Sequence, residues 1–516
     1  MEIWEYLEIL RNKKQGWLFR KHNTDERLDA LTKISQFGQP GSIQSLIPFL
    51  KDDNKEIRHS ACDIIVQLFN KIETRRGYYD TFRHCDLSQY DTDFFEREFS
   101  RENFSTLLAI ASLNGNGYVR EAAVRRLGVT DNARSIQFIV FRLADWVPSV
   151  RQAAIVALES FKKPKFIDSL IDNLSIFQWL QKVERTDLSF VYADLMSYVV
   201  IKNRDYVVAN FKRFKDKTRI IIARELCKPV DIATADLQLL ANDRNFIVRN
   251  LVLKHFDKLS QREVDLLLKD KSSRVRLETL RKLKGQADLE KIMFQFLADS
   301  SASIRYFARF TLKEPTFDFA FAYRENLLNN RNIFGSLCGL SEVNATHYAS
   351  IVENFLVDKR AKIRKAAFLA LRKLDKAKAY QFAYDTLDSE DAGLRKLSIE
   401  YLAGTGKQEM LEKARAIFAN GDIELRRSML GLFSKIGHWA TIADIMIGTI
   451  DFNESIRELS LKYLIQWKRK AANYFMLPRE GELERAHQIF KFAFEMLEEK
   501  KLFKENPLVG MEFFLR

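Results

Sequence analysis

Apolar residues recur along this chain at helical spacing, in blocks that are separated by short polar breaks. Residues 43–50 place apolar side chains three or four positions apart, which predicts an α-helix with one apolar face. Residues 51–54 (Lys-Asp-Asp-Asn) break the pattern, and residues 56–69 resume it. The pattern therefore predicts two helices joined by a polar turn, each with an apolar face that a neighbour must cover.

The two-helix unit recurs, and an arginine marks most copies. The repeated pattern has Asp or Asn six positions before the arginine, an aliphatic residue directly before it, a small residue three after it and a large apolar residue seven after it. We call the position of the arginine in this pattern the slot. Slot arginines are Arg27, Arg58, Arg120, Arg151, Arg219, Arg249, Arg276, Arg305, Arg364, Arg395, Arg426 and Arg457. Consecutive ones lie 27–31 residues apart, except for three gaps of 59–68 residues, so each long gap is predicted to hide one degenerate copy.

This Asp-x5-Arg-x2-Ala-x3-Leu pattern on a helix pair resembles a HEAT repeat. The resemblance implies an all-α fold, a right-handed α-α superhelix (α-solenoid) of about 15 HEAT-type helix pairs, in which stacking buries one continuous core. It also implies a structural ladder of Asp and Arg side chains between adjacent repeats. The predicted ladder residues are Arg58, Arg151, Arg249, Arg276, Arg305, Arg364 and Arg457, with Asp52, Asp145, Asp243, Asp270, Asp299, Asp358 and Asp451.

The pattern also predicts how the chain is organised. Residues 1–22 are expected to form an N-terminal capping helix, residues 23–477 the solenoid, and residues 478–516 a C-terminal capping helix followed by a disordered tail, because terminal repeats need a polar outer face. Residues 73–102 do not fit the repeat. This polar, aromatic segment is predicted to be an irregular insertion that projects from the array as a surface loop.

The acidic residues of the insertion do not predict a metal site, because their spacing differs from that of an EF-hand and no glycine stands at the turn. Four widely separated cysteines without a C-x-x-C pair argue against a zinc site and against a disulfide framework. The beginning of the sequence is acidic, and no apolar run reaches the roughly 18 residues of a membrane span. A cytoplasmic protein is therefore expected.

Catalytic motifs are weak in this sequence. None of the seven histidines is followed by Glu, whereas the deoxyhypusine hydroxylases of similar fold carry repeated His-Glu dipeptides. The chain has no glycine-rich phosphate loop and no nucleophile-elbow motif. The DNA glycosylases of HEAT-like fold combine tryptophans with a carboxylate, and only Asp145-Trp146 and Trp179 loosely resemble that combination here. The sequence therefore predicts no catalytic residue, no cofactor and no metal, with a glycosylase-type enzyme as the lesser alternative.

Charge separates two hypotheses about binding. The net charge of +14 resides mainly in residues 201–400, which carry +12 of it. The first hypothesis is a non-catalytic scaffold that binds a protein partner through its concave surface. The alternative is a track for nucleic acid or another polyanion. Its predicted residues are Lys269, Lys271, Arg274, Arg281, Lys282, Lys359, Arg360, Lys362 and Lys365.

Overall fold

The helix pairs predicted from the sequence are present. The computed structural model describes residues 3–12, 20–72, 81–286, 288–312, 317–471 and 477–515. Over these residues every regular element is helical, and none is a strand. The prediction of an all-α array of helix pairs is therefore confirmed. The chain divides into two compact units, Met1–Lys282 and Leu283–Arg516.

The first unit contains the following α-helices. They are α1 Ile3–Arg11, α2 Arg20–Phe37, α3 Ile43–Leu46, α4 Lys55–Phe69, α5 Asp91–Glu98, α6 Arg101–Ala111, α7 Gly117–Leu127, α8 Ser135–Leu143, α9 Pro148–Glu159, α10 Ile167–Asp172, α11 Leu174–Leu180, α12 Ser189–Met196, α13 Arg204–Asn210, α14 Asp216–Leu226, α15 Thr234–Ala241, α16 Phe246–Leu251, α17 Gln261–Leu268 and α18 Ser273–Lys282. Short 3₁₀ segments, such as Ile47–Lys51 and Val252–Lys258, extend several of these helices.

The second unit continues the alternation of first and second helices. Its α-helices are α19 Leu289–Phe296, α20 Ala302–Thr311, α21 Phe319–Leu328, α22 Ile333–Glu342, α23 Ala349–Glu353, α24 Ala361–Leu374, α25 Lys376–Asp385, α26 Ala392–Leu402, α27 Gln408–Asn420, α28 Ile423–Ile436, α29 His438–Gly448, α30 Glu454–Ala471 and α31 Glu482–Lys500.

The pair α8 and α9 illustrates why the repeated pattern folds in this way. Pro148 opens α9, where its missing N–H would be unpaired in any case. Val150, Ala154 and Leu158 then line one face of the helix and are buried. The small Ala154, three residues after the slot, lets a neighbouring helix approach closely. Apolar burial on one face of each helix thus holds successive pairs together.

Two of the three degenerate copies can be placed in the described residues. In α12 the position six residues after Asp187 is Ala193, and in α22 the position six residues after Asn330 is Ser336. Ser336 is fully buried. Both helices therefore stand where the repeat predicts a second helix, but without a guanidinium in the slot.

The predicted insertion is packed into the array over the part that the structure describes. Residues 73–80 lie outside the described residues. In the remainder, Phe82 and Phe95 are buried. The Arg83 carbonyl accepts a hydrogen bond from the Gly115 N–H at 2.7 Å, and the Cys85 carbonyl accepts one from the Asn114 side chain at 2.7 Å. The expectation of a projecting loop is therefore wrong for residues 81–102, because these contacts fix the segment to the following repeat.

The C-terminal end also differs from the expected disordered tail. Leu508, Met511 and Leu515 are buried after the end of α31. The Lys468 ammonium of α30 donates to the carbonyl oxygens of Pro507 and Val509 at 2.8 and 2.9 Å. Apolar burial and these two bonds hold the last described residues against α30.

Candidate binding surface

Where a repeat carries both the arginine and the aspartate of the pattern, the two residues meet in the turn between its two helices. In the repeat of α15 and α16, Asp243 accepts a hydrogen bond from the Asn245 N–H at 2.7 Å, which closes an Asx turn. Arg249 Nη1 donates to the Asp243 carbonyl at 2.7 Å. The aspartate thus shapes the turn, and the arginine ties the second helix to it.

The other predicted arginines bind their own turns in the same way. Each donates from Nη1 to the carbonyl oxygen of the aspartate six positions earlier. These pairs are Arg58–Asp52 (2.8 Å), Arg151–Asp145 (2.8 Å), Arg276–Asp270 (2.7 Å), Arg305–Asp299 (2.7 Å), Arg364–Asp358 (3.0 Å) and Arg457–Asp451 (3.0 Å).

A second set of contacts crosses from one repeat to the next. Arg249 Nη2 donates to Asp270 Oδ1 of the following turn at 2.7 Å, and this hydrogen bond raises the pKa of Arg249. Equivalent pairs involve four slot arginines outside the predicted ladder set, although their sequence pattern is the same. They are Arg27–Asp52, Arg120–Asp145, Arg219–Asp243 and Arg426–Asp451.

Other acids replace the aspartate where the next repeat has none in that position. Arg58 pairs with Glu98 at 2.7 Å. Arg305 pairs with Glu342, because the next turn offers Asn330 in place of an aspartate. Burial disfavours a charge on Glu342, but its bonds from Arg305 and Arg309 outweigh that effect and lower its pKa. The guanidinium in the slot is therefore neutralised even where the next turn has no aspartate, because a glutamate of a nearby helix takes that place.

The nine predicted polyanion-binding residues are all exposed. The first five lie in the first unit and the last four in the second, so their placement on one common face stays a prediction. Arg281 pairs with Glu278 at 2.7 Å, and Arg360 pairs with Asp358 at 2.9 Å. The hydrogen bond from Arg360 lowers the pKa of Asp358 to about 2.

Exposed aromatic rings mark four turns of the first unit, a feature that the sequence analysis did not identify. Tyr118, Trp146, Phe190 and Phe246 each lie in the turn between first and second helices or in the first two residues of the second helix. Trp146 is 76% exposed, and the Arg185 guanidinium stacks on its ring at 4.1 Å. We call this row of turns, from residue 116 to residue 274, the turn edge of the first unit.

A cleft of about 760 Å³ opens on the turn edge between the turns of two adjacent repeats. Its lining includes Phe246, Arg244, Leu266, Lys269 and Lys271. The cleft thus combines an aromatic ring and an aliphatic side chain with the exposed cations Arg244, Lys269 and Lys271, and its lining also includes the paired residues Asp216, Arg249 and Asp270.

A different surface of the second unit exposes apolar side chains on second helices. Tyr306 and Phe310 of α20 are 65% and 61% exposed, and their rings are stacked with centroids 6.4 Å apart. They lie one and five residues after the slot arginine Arg305. The same positions of α24 carry Lys365 and Leu369, which are also exposed.

Three cysteines of the first unit are buried. Burial raises the thiol pKa of Cys62 and of Cys85 to about 12 and that of Cys227 to about 11.

Over the described ranges no group of His, Cys, Asp and Glu side chains is arranged to hold a metal ion. Within the same ranges no helix has the length and apolar character needed to cross a bilayer.

Comparison with known proteins yields one family match. Residues 104–175 match the family model of HEAT repeats, and they include the slot arginines Arg120 and Arg151. A search of curated protein sequences gives no significant match.

Three solved structures are similar to this chain at low sequence identity. A chain of the S. pombe condensin Cnd3–Cnd2 subcomplex is similar at 13% identity with a TM-score of 0.37, over 99% of this chain and 95% of that chain. Importin beta is similar at 12% identity with a TM-score of 0.31, over 99% of this chain and 66% of that chain. Kap121p is similar at 12% identity with a TM-score of 0.34, over 99% of this chain and 68% of that chain. This chain thus spans about two thirds of the last two proteins, and scores this low transfer no function.

Proposed function

The chain is an α-solenoid of HEAT-type repeats, and on that premise we propose that it is a non-catalytic scaffold for a protein partner. The proposed binding surface is the exposed face of the second helices, and we propose that this face belongs to the concave binding surface that stacked repeats create. The second helix α20 is held by its slot arginine Arg305, so its exposed side chains are presented from a rigid support.

The exposed ring pair Tyr306 and Phe310 is the observation that carries the proposal. Large aromatic side chains contribute strongly to protein–protein binding when a partner buries them. A stacked pair on a fixed helix loses little conformational freedom on binding, since the two rings already restrain each other. The cation Lys365 and the aliphatic Leu369, at the equivalent positions of α24, would extend the contact toward a partner with apolar and acidic groups.

The state of the cysteines supports the non-catalytic part of the proposal. A nucleophilic cysteine needs a lowered pKa and access to its substrate. Cys62, Cys85 and Cys227 are buried and have raised pKa values. Thiols of this kind stay protonated at neutral pH and serve as small apolar side chains.

The test is capture of partner proteins by the purified full chain and by two variants. The double variant Tyr306→Ser/Phe310→Ser should lower the affinity for a captured partner by at least about tenfold, as expected for hot-spot residues. Phe452→Ser is the matched control, because Phe452 is an exposed aromatic residue in a turn. Equal binding of a partner by the double variant and by the wild type would refute this surface as the binding site.

A further inference from the structure

The turn edge of the first unit carries cations that the protein does not neutralise. Five basic residues of this edge have exposed side chains that form no ion pair with the described residues. These residues are Lys215, Lys217, Lys269, Lys271 and Arg274. Lys215 and Lys217 lie at the turn of the Arg219 repeat, and Lys269, Lys271 and Arg274 lie at the turn of the Arg276 repeat. One repeat separates the two turns, so the positive charges form two clusters along one edge.

The aspartates of the same turns are already paired with internal arginines. Asp216 binds Arg219 and Arg244 at 2.8 and 2.9 Å. Asp243 binds Arg219, and Asp270 binds Arg249. The carboxylates are therefore compensated within the ladder, while the exposed lysines are free to attract an anion.

The exposed rings Tyr118, Trp146 and Phe190 belong to three consecutive repeats, and Phe246 lies two repeats further along. Packed helices lie about 8–10 Å apart, so neighbouring turns are separated by roughly that distance. Rings at this spacing are separate from one another, so each ring can be contacted individually. A single exposed ring can stack one nucleic-acid base, and each such contact adds binding energy independently.

The strand length that fits this spacing is modest. One step of about 10 Å corresponds to roughly three nucleotides at the 3.4 Å rise of a stacked strand. The turns from Tyr118 to Arg274 belong to six repeats, so the edge extends over about 50 Å. A single strand of roughly 15 nucleotides covers this length.

We propose that the turn edge of the first unit binds single-stranded nucleic acid. Lys215, Lys217, Lys269, Lys271 and Arg274 contact phosphates, while the four exposed rings stack with bases. A duplex fits less well, because its bases are already stacked on each other and cannot reach isolated rings.

The cleft supplies a place for one unstacked base. Phe246 offers a ring face there, with Asn242 and Asn245 among the neighbouring lining residues. At the other end of the edge, the stacked Arg185 fixes the Trp146 ring and adds a cation beside it. Asp187, in the turn next to Phe190, adds an exposed negative charge, so the cations of residues 215–274 provide most of the attraction.

Fluorescence anisotropy with a labelled 20-nucleotide oligo-dT tests the proposal. We expect binding at about 50 mM salt and a log–log salt slope of about −0.7 per phosphate contacted. The triple variant Lys269→Gln/Lys271→Gln/Arg274→Gln should reduce the magnitude of this slope by about 2. The control triple Lys491→Gln/Lys500→Gln/Lys504→Gln removes the same charge from exposed positions of the second unit and should leave the slope nearly unchanged. An equal effect of the two triples would overturn the proposal.

Two ring variants test the stacking contacts. Trp146→Ala and Phe246→Ala should each weaken oligo-dT binding roughly 5- to 150-fold, the range that corresponds to the loss of one stacked base. Phe452→Ala, an exposed ring of the second unit, should have no effect. Unchanged binding in both first-unit variants would contradict stacking, and circular dichroism would verify that all variants remain folded.

Two competitors separate single strands from other partners. A 20-base-pair duplex should bind more weakly than oligo-dT, and a 20-residue polyglutamate should displace oligo-dT poorly. Equal binding of duplex would overturn the single-strand assignment. Efficient displacement by polyglutamate would indicate an acidic protein segment as the ligand and would also overturn it. Tyr306→Ser/Phe310→Ser should leave oligo-dT binding intact, so this proposal and the protein-scaffold proposal can fail independently.

Discussion

Arg120 and Asp145 form a two-point contact between adjacent repeats. The Arg120 Nε and Nη2 groups donate to the two carboxylate oxygens of Asp145, each at 2.8 Å. Asp145 also accepts hydrogen bonds from the Val147 N–H at 3.0 Å and from Arg142 at 2.8 Å. Burial disfavours the charged carboxylate, but these hydrogen bonds outweigh that effect and lower its pKa. The Asp145 carboxylate thus shapes its own turn and also holds α7, the second helix of the preceding repeat, against that turn.

Removal of the Arg120 guanidinium should destabilise this part of the first unit. We expect Arg120→Ala to lower the free energy of local unfolding by about 3 kcal/mol, because the buried Asp145 loses two charged hydrogen bonds. Hydrogen exchange of the amides in α7 and α9 measures the effect. A local measurement is preferable, because a chain of two compact units need not unfold in a single transition.

Arg125→Ala is the matched control for this prediction. Arg125 pairs with Glu121 of the same helix at 2.7 Å, and its side chain is largely exposed. A surface pair of this kind contributes about 0.3–0.5 kcal/mol. If the two alanine variants changed the exchange rates equally, the ladder contact would have no special role in stability.

The Asp358–Arg360 pair gives a prediction about pH. The hydrogen bond from the Arg360 side chain is the largest cause of the pKa of about 2 at Asp358. Arg360→Gln should therefore raise this pKa toward the ordinary value of about 3.9, but not fully, because the Arg360 N–H still donates to the carboxylate. Carbon-13 NMR of labelled aspartate side chains would follow the titration.

The direction of the linked stability effect follows from the depressed pKa. The pair stabilises the folded state above the unfolded-state pKa of about 3.9, and this contribution is lost as the pH falls through about 2. Lys359→Gln serves as the control, since Lys359 is a minor cause of the shift. A larger change in the Lys359 variant than in the Arg360 variant would contradict the assignment.

The repeat could be recognised from the sequence because each slot arginine must occupy the same place on its helix. This requirement leaves a regular spacing that can be read without a structure. The partners Glu98 and Glu342 could not be found in this way. They lie 40 and 37 residues from Arg58 and Arg305, outside the repeated pattern, and only the packing of the helices brings them close.

The turn edge was only half predictable. Lys269 and Lys271 belong to charge clusters that composition alone reveals. Trp146 and Phe246 are large aromatic residues, which sequence analysis assigns to the core because most such residues are buried there. Their exposure depends on their place in a turn, and a search for aromatic residues two to five positions before the slot would have found Tyr118, Trp146, Phe190 and Phe246.

The four thiols should react in an order set by burial. We expect Cys62, Cys85 and Cys227 to resist alkylation by iodoacetamide at pH 8, because they are buried and mainly protonated. Cys338 is only half-buried, although burial raises its pKa too, and it should react first. Mass spectrometry of labelled peptides gives the rates, with the unfolded chain in denaturant as the control. Rapid labelling of Cys62 or Cys85 in the folded protein would contradict this account and reopen the case for a catalytic thiol.

Gly335 of α22 lies very close to the backbone at Ala298, in the turn of the preceding repeat. A Cβ atom at this position would collide with the backbone carbonyl of Ala298, which cannot move aside as a flexible side chain could. In an unconstrained helix, Gly→Ala stabilises by about 1 kcal/mol. Here we expect the opposite sign, a loss of about 1–3 kcal/mol from overpacking.

Gly431→Ala provides the comparison that isolates this close approach. Gly431 lies within α28, and the nearest atom to an added Cβ is the Tyr463 hydroxyl oxygen at 4.0 Å. The added methyl group has room, so this variant should be neutral or more stable by up to about 1 kcal/mol. Denaturant unfolding of both variants, with hydrogen exchange in α22 and α28, compares the two sites. If Gly335→Ala were as stable as Gly431→Ala, the contact between α22 and the Ala298 turn would be looser than the structure describes, and the short distance between these two repeats would not depend on glycine.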